Sequence, residues 1–215
     1  VSDAYPNAEV HNNTIMWSVL AKDECKHEVS KRIPMEFVPL EEIKNQLNNV
    51  DANCLVYNDT ENKFLFYEGK MDFESNVKVE YTNASATIKN NRNKPIYDAK
   101  LVVAVNDPKH IFSVKIKLAN FGTVKPGEEK TAKLENLSIT KDELSKELEN
   151  LGFTPSESKA FGDVWYKSFF EPSNMPFQQL IYRLDQEEYD EMFPLEVNPK
   201  PEKSIRAMYV LMKID

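Results

Sequence analysis

The sequence predicts an α+β protein, in which an Ig-like antiparallel β-sandwich is followed by a C-terminal helical hairpin packed on additional strands. Two observations lead to this fold class. From about residue 76 to 139, apolar residues alternate with polar ones between closely spaced turn signals, which is typical of the short strands of a sandwich. From residue 140 onward, capping residues and helical spacing indicate two helices joined by a tight turn.

The first 139 residues divide into an arm and a β-rich domain. Residues 1–13 are polar and unpatterned and begin without Met, so we expect a flexible arm of a mature form whose signal peptide has been removed. Residues 14–139 form the β-rich domain. Its first part contains a strand, TIMWSVLA (14–21), a helix over 39–50, and a hairpin in which CLVY and KFLFY flank the loop NDTEN.

The Ig-like sandwich is expected over about residues 76–139. In HIFSVKIKLA (110–119), Phe112, Val114, Ile116 and Leu118 point one way and the polar residues between them the other, which indicates one buried face. Similar strands are VKVEY, ASATIK, IYDAKLVVAV and EKTAKL. This stretch resembles the Ig-like accessory modules of secreted prokaryotic proteins, of the FxLYD or CARDB type.

Residues 140–215 form an α+β region that can continue the preceding core. Thr140 and Glu143 form a capping box for one helix, which ends at the left-handed Gly152. Thr154 and Glu157 begin the next helix. The apolar face expected to be buried on that helix consists of Phe161, Val164, Trp165 and Phe169.

A third helix and two strands complete the chain. After the strand FQQLIYRL, Asp185 is expected to cap the third helix and Glu188 to complete its capping box. The last segment, SIRAMYVLMKI, is apolar on both faces, which predicts a central strand. Arg206 lies near its start, where we expect a structural ion pair with Glu157 or Asp190, the alternative being an anion-binding role.

Residues 151–214 as a unit resemble the C-terminal part of a group of uncharacterised secreted prokaryotic proteins. The shared pattern is a glycine turn, an aromatic helix, and a proline-rich segment that ends in arginine. It is carried here by Gly152, Phe153, Glu157, Ser158, Trp165, Phe169, Phe170, Asp190, Pro194, Leu195, Val197, Pro199, Pro201, Ile205 and Arg206. The resemblance implies a fold and a cell-envelope or extracellular location, and no activity.

Composition excludes several classes of function. The net charge is −8 and only four of the 215 residues are arginine, which argues against a general nucleic-acid or anionic-membrane binder. The helix, turn and helix around Gly152 resemble a DNA-reading motif in outline, but the second helix begins with Ser156, Glu157 and Ser158 rather than basic residues. Five glycines provide little material for a phosphate-binding loop. We predict no cofactor and no membrane span.

Two kinds of site point to an oxidising compartment. Cys25 and Cys54 are the only cysteines, and they are compatible with one disulfide, although Cys25 and His27 could instead be half of a soft-metal site. In that alternative, Cys54, His11 or His110 would supply the other ligands. Four N-x-S/T sequons are candidate glycosylation sites, at Asn12, Asn58, Asn83 and Asn136.

Clusters of acidic residues offer catalytic or metal-binding alternatives. DQEEYDEMF (185–193) could hold Ca²⁺, but it lacks the spacing and glycine of a calcium loop, and a capped, acidic helix start explains it as well. Carboxylate pairs for hydrolysis could join Glu36 with Glu41 or Glu42, or Asp98 with Asp107.

The sequence therefore predicts a non-catalytic secreted or cell-envelope interaction protein, such as a subunit of an extracellular assembly. Its partner, or a further copy of the chain, would bind at strand edges or at the N-terminal arm. The alternatives are a hydrolase of envelope polymers with paired carboxylates, and a carbohydrate-binding module. The aromatic platform of such a module would come from Tyr5, Trp17, Tyr57, Tyr67 and Tyr97.

Overall fold

The computed structural model describes residues 3–6, 8–12, 14–26, 47, 50–68, 72–107, 113–171 and 175–214. The chain divides into two compact units. Unit 1 comprises Val1–Phe73 and Ser145–Val164, and unit 2 comprises Glu74–Leu144 and Trp165–Asp215. This division differs from the boundary after residue 139 that the sequence pattern predicts. The helix expected over 39–50 lies almost entirely outside the described residues.

Unit 1 contains seven described short strands in three small antiparallel sheets. The strands are β1 Asp3–Tyr5, β2 Glu9–His11, β3 Thr14–Met16, β4 Leu20–Lys22, β5 Cys54–Tyr57, β6 Thr60–Asn62 and β7 Phe66–Glu68. Strand β1 pairs with β7, β2 pairs with β3, and β5 lies between β4 and β6. A disulfide joins Cys25 to Cys54, with an S–S distance of 2.04 Å. The predicted disulfide is thereby confirmed.

Three details of unit 1 differ from the sequence prediction. Strands β1 and β2 occupy part of the stretch expected to be a flexible arm, because β1 pairs with β7 and β2 pairs with β3. The strand expected over residues 14–21 is interrupted after Met16. The hairpin loop is shorter than NDTEN: only Asn58 and Asp59 form the turn, and both have positive φ, of 46° and 61°. Asn and Asp tolerate this conformation, which a two-residue type I′ hairpin requires.

Unit 2 is built from two antiparallel sheets. The three-stranded sheet has the order β12-β9-β8 and consists of β8 Val77–Tyr81, β9 Ser85–Asn90 and β12 Glu129–Lys133. The five-stranded sheet has the order β13-β11-β10-β14-β15 and consists of β10 Ile96–Asn106, β11 Val114–Val124, β13 Glu135–Asn136, β14 Phe177–Arg183 and β15 Tyr209–Lys213. The chain changes sheets between β12 and β13, at the buried Leu134.

The core of unit 2 contains side chains from both sheets. Ile88 of β9 and Leu101 of β10 are fully buried, as is Leu180, which faces Leu101 across the β10–β14 pair. Asn90 is also fully buried, and its Nδ2 donates to the carbonyls of Lys94 and Val124, each at 3.0 Å. A buried amide is stable only when it is hydrogen-bonded in this way, so Asn90 fixes the β9–β10 connection in place.

Three helices are described: α1 Lys141–Glu149, α2 Pro155–Phe170 and α3 Gln186–Met192. The C-terminal end of α2 lies on the five-stranded sheet, because Gln179 Nε2 donates to the carbonyls of Ser168 and Phe169. The ring of Phe169 lies 5.5 Å from that of Tyr209. Predominantly antiparallel sheets with helices at one part of the chain confirm the α+β class in its coarse form.

Two predictions about the C-terminal region are wrong. The last strand, β15, is an edge of the five-stranded sheet and not a central strand. Helix α2 covers its second face only in part, because Phe169 contacts Tyr209 whereas Leu211 is 41% exposed. Trp165 was expected to be buried, but it is 39% exposed. On α2, Phe169 is buried as predicted, whereas Phe161 and Val164 are half-buried. Ser158, Ala160, Gly162 and Phe170, which the prediction does not include, are also buried.

Candidate functional site

The outer edge of β15 carries backbone groups that the sheet does not use. The even-numbered residues from 208 to 214 bond to β14, and the N–H of Ile214 donates to the carbonyl of Gln178 at 3.0 Å. In an antiparallel ladder, residues bonded to one neighbour alternate with residues whose N–H and C=O point the other way. The backbone groups of Leu211 and Lys213 therefore point away from β14. Among the described residues, no strand pairs with this edge.

The side chains at this edge are more apolar than those of a typical protected edge. Leu211 is 41% exposed, although it lies on the face of the sheet that α2 covers. It stands opposite the buried Ile181 of β14. Lys213 is the one charged residue of β15. Exposed apolar residues on an edge strand with unused hydrogen-bonding groups favour pairing with a further strand.

Another of the described edges in unit 2 is better protected. Strand β8 is one of the two outer strands of the three-stranded sheet, and its burial alternates residue by residue. Val77 is buried and points inward, whereas Lys78 and Glu80 are exposed. Charged side chains along an edge discourage the approach of another strand. Of these two edges, β15 is therefore the stronger candidate for strand addition.

The acidic cluster around α3 is occupied by cations of the chain itself. Arg92 pairs with Glu188, and both side chains are buried, being 7% and 11% exposed. Lys94 pairs with Glu191 at 2.9 Å on the surface. Asp185 caps the helix by accepting from the N–H of Glu187 at 2.9 Å. Glu188 therefore does not complete the predicted capping box, and four of the five carboxylates in residues 185–193 are already paired with cations or backbone.

Arg206 fastens the segment before β15 to α3. Its Nη1 donates to Asp190 Oδ1 at 2.6 Å and to the carbonyl of Phe193 at 2.8 Å. Its guanidinium lies 4.1 Å from the ring centre of Tyr189. Of the two expected partners, Asp190 makes the contact. These bonds saturate one side of the guanidinium, as in a structural ion pair.

The cysteines lie beside one carboxylate. Cys25, Cys54 and Glu61 offer ligand atoms within 4.8 Å of one another. The two sulfur atoms are bonded to each other, and Glu61 pairs with Lys22 at 3.7 Å. A disulfide lacks the thiolates that zinc requires. Of the expected histidine ligands, His11 is exposed, and His27 and His110 lie outside the described residues.

The helix-capping residues form local hydrogen-bond pairs. The N–H of Thr140 donates to Glu143 Oε2 at 2.7 Å, and the N–H of Glu143 donates to Thr140 Oγ1 at 3.2 Å. Thr154 and Glu157 make the same two bonds, at 2.8 and 3.3 Å. Gly152 has a φ of 104°, which a side chain would strain. These residues set the helix ends.

All four sequon asparagines are exposed. Asn12 has a positive φ of 49° beside the β2–β3 pair, and Asn58 lies in the two-residue turn between β5 and β6. Asn83 lies between β8 and β9, and Asn136 lies on the short edge strand β13. Exposure meets the steric requirement for a glycan at each asparagine.

The carboxylate pairs needed for hydrolysis find little support. Asp98 bonds to Arg183 at 2.7 Å, and Asp107 pairs with Lys115 at 3.4 Å. They flank the two ends of β10, about 30 Å apart at the rise of an extended strand, whereas glycosidases place their carboxylates within about 10 Å. Glu36, Glu41 and Glu42 lie outside the described residues.

A cleft of about 390 Å³ on unit 2 also lacks a carboxylate pair. Its lining includes Leu118, Asn120, Lys133, Glu135 and Asn136, of which only Glu135 is acidic. One carboxylate cannot divide the acid and base roles of polymer hydrolysis. The cleft therefore adds no support for a hydrolase.

Three of the five aromatic residues expected to form a carbohydrate platform make separate contacts within the chain. Tyr5 stacks on Phe64 at 5.4 Å, and Trp17 donates its indole N–H to the carbonyl of Pro6 at 2.9 Å. Tyr97 is covered by the guanidinium of Arg183, 4.8 Å from the ring centre. Among the five aromatic candidates, only Tyr67 is more than a third exposed.

Comparison with known proteins adds no further constraint. No protein-family model, no curated protein and no solved structure matches the chain. Within the described residues, no helix has both the length and the apolar character needed to cross a membrane. The candidate site thus depends on the geometry of the chain alone.

Proposed function

We propose that the protein is a non-catalytic secreted or cell-envelope protein that binds another polypeptide by strand addition. The observation that carries this proposal is the outer edge of β15, where Leu211 and Lys213 direct unused backbone groups away from the sheet. Strand addition supplies affinity through main-chain hydrogen bonds, and side chains at alternate positions supply specificity.

Other features support the location and architecture in this proposal. The Cys25–Cys54 disulfide is compatible with an oxidising compartment. The four exposed sequons are compatible with the same location. The two facing sheets of unit 2 support an Ig-like sandwich, an architecture that binding proteins use widely.

The direct test is the mass of natively purified protein in solution. Light scattering should give a particle heavier than one chain, which is 24.9 kDa plus any glycan that mass spectrometry of the denatured protein finds, because a partner would remain bound at β15. Leu211→Lys, introduced at the native locus, should lower that mass, since a charged side chain would be buried in the contact. A particle of one chain mass in native material, or an unchanged mass in the variant, would contradict the proposal.

Two further measurements on the same material test the location. Alkylation without reductant should leave Cys25 and Cys54 unmodified if the bond exists in the cell. Peptide masses around Asn12, Asn58, Asn83 and Asn136 would identify any glycan. Reduced cysteines in freshly isolated protein would contradict an oxidising location.

A further inference from the structure

We infer that the strand accepted by β15 is β15 of a second copy, in an antiparallel arrangement with Leu211 on the two-fold axis. This inference depends on the proposed function, since it names the partner that binds the same edge. The result would be a symmetric dimer in which two five-stranded sheets join into one.

The alternation of backbone groups that point toward β14 and away from it along β15 permits this pairing. In a two-fold antiparallel pair centred on a hydrogen-bonded pair of residues, the central residue directs its N–H and C=O outward, toward its own copy. Leu211 does so, because the bonds to β14 are made by the even-numbered residues. Centring the pair on Val210 or Met212 would place a non-hydrogen-bonded pair on the axis and would oppose fewer residues of the two β15 strands. Leu211 is also the middle residue of β15, so this register overlaps the whole strand.

The side chains fit the same register. Directly opposed residues of an antiparallel pair lie on one face of the sheet, with Cβ atoms about 4.5–5.5 Å apart. The two Leu211 side chains, each 41% exposed in one chain, would then cover each other. The burial of this apolar surface is the hydrophobic contribution of the contact.

The charges of β15 also favour this register over slipped ones. Lys213 is the one charged residue of the strand, and it stands opposite residue 209 of the second copy. The two Lys213 ammonium groups attach four positions apart along the paired strands, about 13 Å at the rise of an extended strand. A slip toward the C-terminal ends would bring the two lysines together, at a cost in free energy.

The dimer is expected to be reversible. A contact built around one five-residue strand is at the small end of the roughly 1,200–2,000 Å² that stable complexes bury. Each chain also carries a net charge of −8, so long-range repulsion opposes association and salt screens it. We therefore expect a dissociation constant in the micromolar range that decreases as salt is added. An oppositely charged partner would show the reverse salt dependence.

Sedimentation equilibrium of the recombinant 215-residue chain tests this inference. Wild type should approach twice 24.9 kDa as concentration increases, and more readily in high salt than in low salt. Leu211→Lys should remain monomeric over the same range. Leu195→Lys is the matched control, because Leu195 is 58% exposed on the same unit but lies outside any strand, and it should dimerise like wild type.

A second variant separates the edge from the fold. Leu211→Pro removes an N–H that points away from β14, so it deletes a donor of the dimer and no bond of the β14–β15 pair. It should abolish dimerisation while its circular dichroism spectrum stays that of wild type. If Leu211→Pro misfolds, the equilibrium masses of Leu211→Lys and Leu195→Lys decide the question.

The outcomes distinguish this inference from the proposed function. Monomeric recombinant wild type at every concentration, or a Leu211→Lys variant that dimerises normally, overturns pairing with a second copy. If that recombinant chain is monomeric while native material is heavy, strand addition stands with a different partner. If both are monomeric, both proposals fail.

Discussion

Replacing Arg92 with methionine should destabilise unit 2 by several kcal/mol. Arg92 and Glu188 pair where both side chains are about nine-tenths buried, and they join the β9–β10 connection to α3. Removing the guanidinium leaves the carboxylate of Glu188 buried beside an apolar side chain. Breaking one side of a buried pair costs roughly 3–5 kcal/mol, because the remaining charge keeps its desolvation penalty.

The same connection provides a matched control. Lys94 pairs with Glu191 at 2.9 Å, but the carboxylate is 71% exposed and remains solvated when its partner is removed. Lys94→Met should therefore leave the unfolding transition close to that of wild type. The two ion pairs join the same elements, the β9–β10 connection and α3, and they differ mainly in how deeply they are buried.

Urea unfolding at neutral pH would measure both variants. At typical slopes of about 1–3 kcal/mol per molar urea, the Arg92→Met midpoint should decrease by at least about 1 M. Combining Arg92→Met with Glu188→Leu should recover much of the loss, since no buried charge then lacks a partner. If Arg92→Met unfolds at the same midpoint as Lys94→Met, burial does not determine the strength of this pair.

Three further predictions concern local features. Thr140→Ala and Thr154→Ala should each lower the free energy of unfolding by about 1 kcal/mol, because each removes a helix cap. Serine at either position should restore the lost stability. An alanine variant that unfolds like wild type would contradict the capping role. Replacing Cys25 and Cys54 with serine should cost roughly 3–4 kcal/mol for a separation of 29 residues, while reduction of the wild type should add two protons to its mass. Burial raises the pKa of Tyr182 from 10.0 to about 12. The native state then keeps the phenol neutral where the unfolded chain ionises it, so stability should be complete below about pH 10 and fall by at most about 2.7 kcal/mol as pH rises through 12. Tyr182→Phe should remove that decrease and the last-ionising phenol from an ultraviolet titration.

Local signals in the sequence were informative where a few adjacent residues decide the structure. The capping residues Thr140 and Thr154 each bond a glutamate three positions away, so their spacing alone indicates a helix start. The coarse α+β class follows from similar short-range patterns. The predicted turn at Asn58 is too long, because the polar residues Thr60–Asn62 form strand β6 and do not belong to the loop.

Long-range packing could not be derived in the same way. An apolar strand such as β15 can lie at the edge of a sheet where α2 covers part of one face, and the sequence does not distinguish that arrangement from a central position. The partner of Arg92 lies 96 residues away, so no local spacing predicts it. The exposure of Trp165 depends on which face of α2 meets the sheet, and several faces of that helix are apolar.

Residue-resolved amide hydrogen exchange on β15 tests the central claim most directly. In dilute monomeric protein, the amide of Leu211 should exchange fast, because it points away from β14, while those of Val210 and Met212 should be protected by the β14–β15 pair. In native or concentrated protein, Leu211 should become protected as a strand is added. Protection of Leu211 in the dilute monomer, or fast exchange of Leu211 in the assembled protein, would contradict strand addition at this edge.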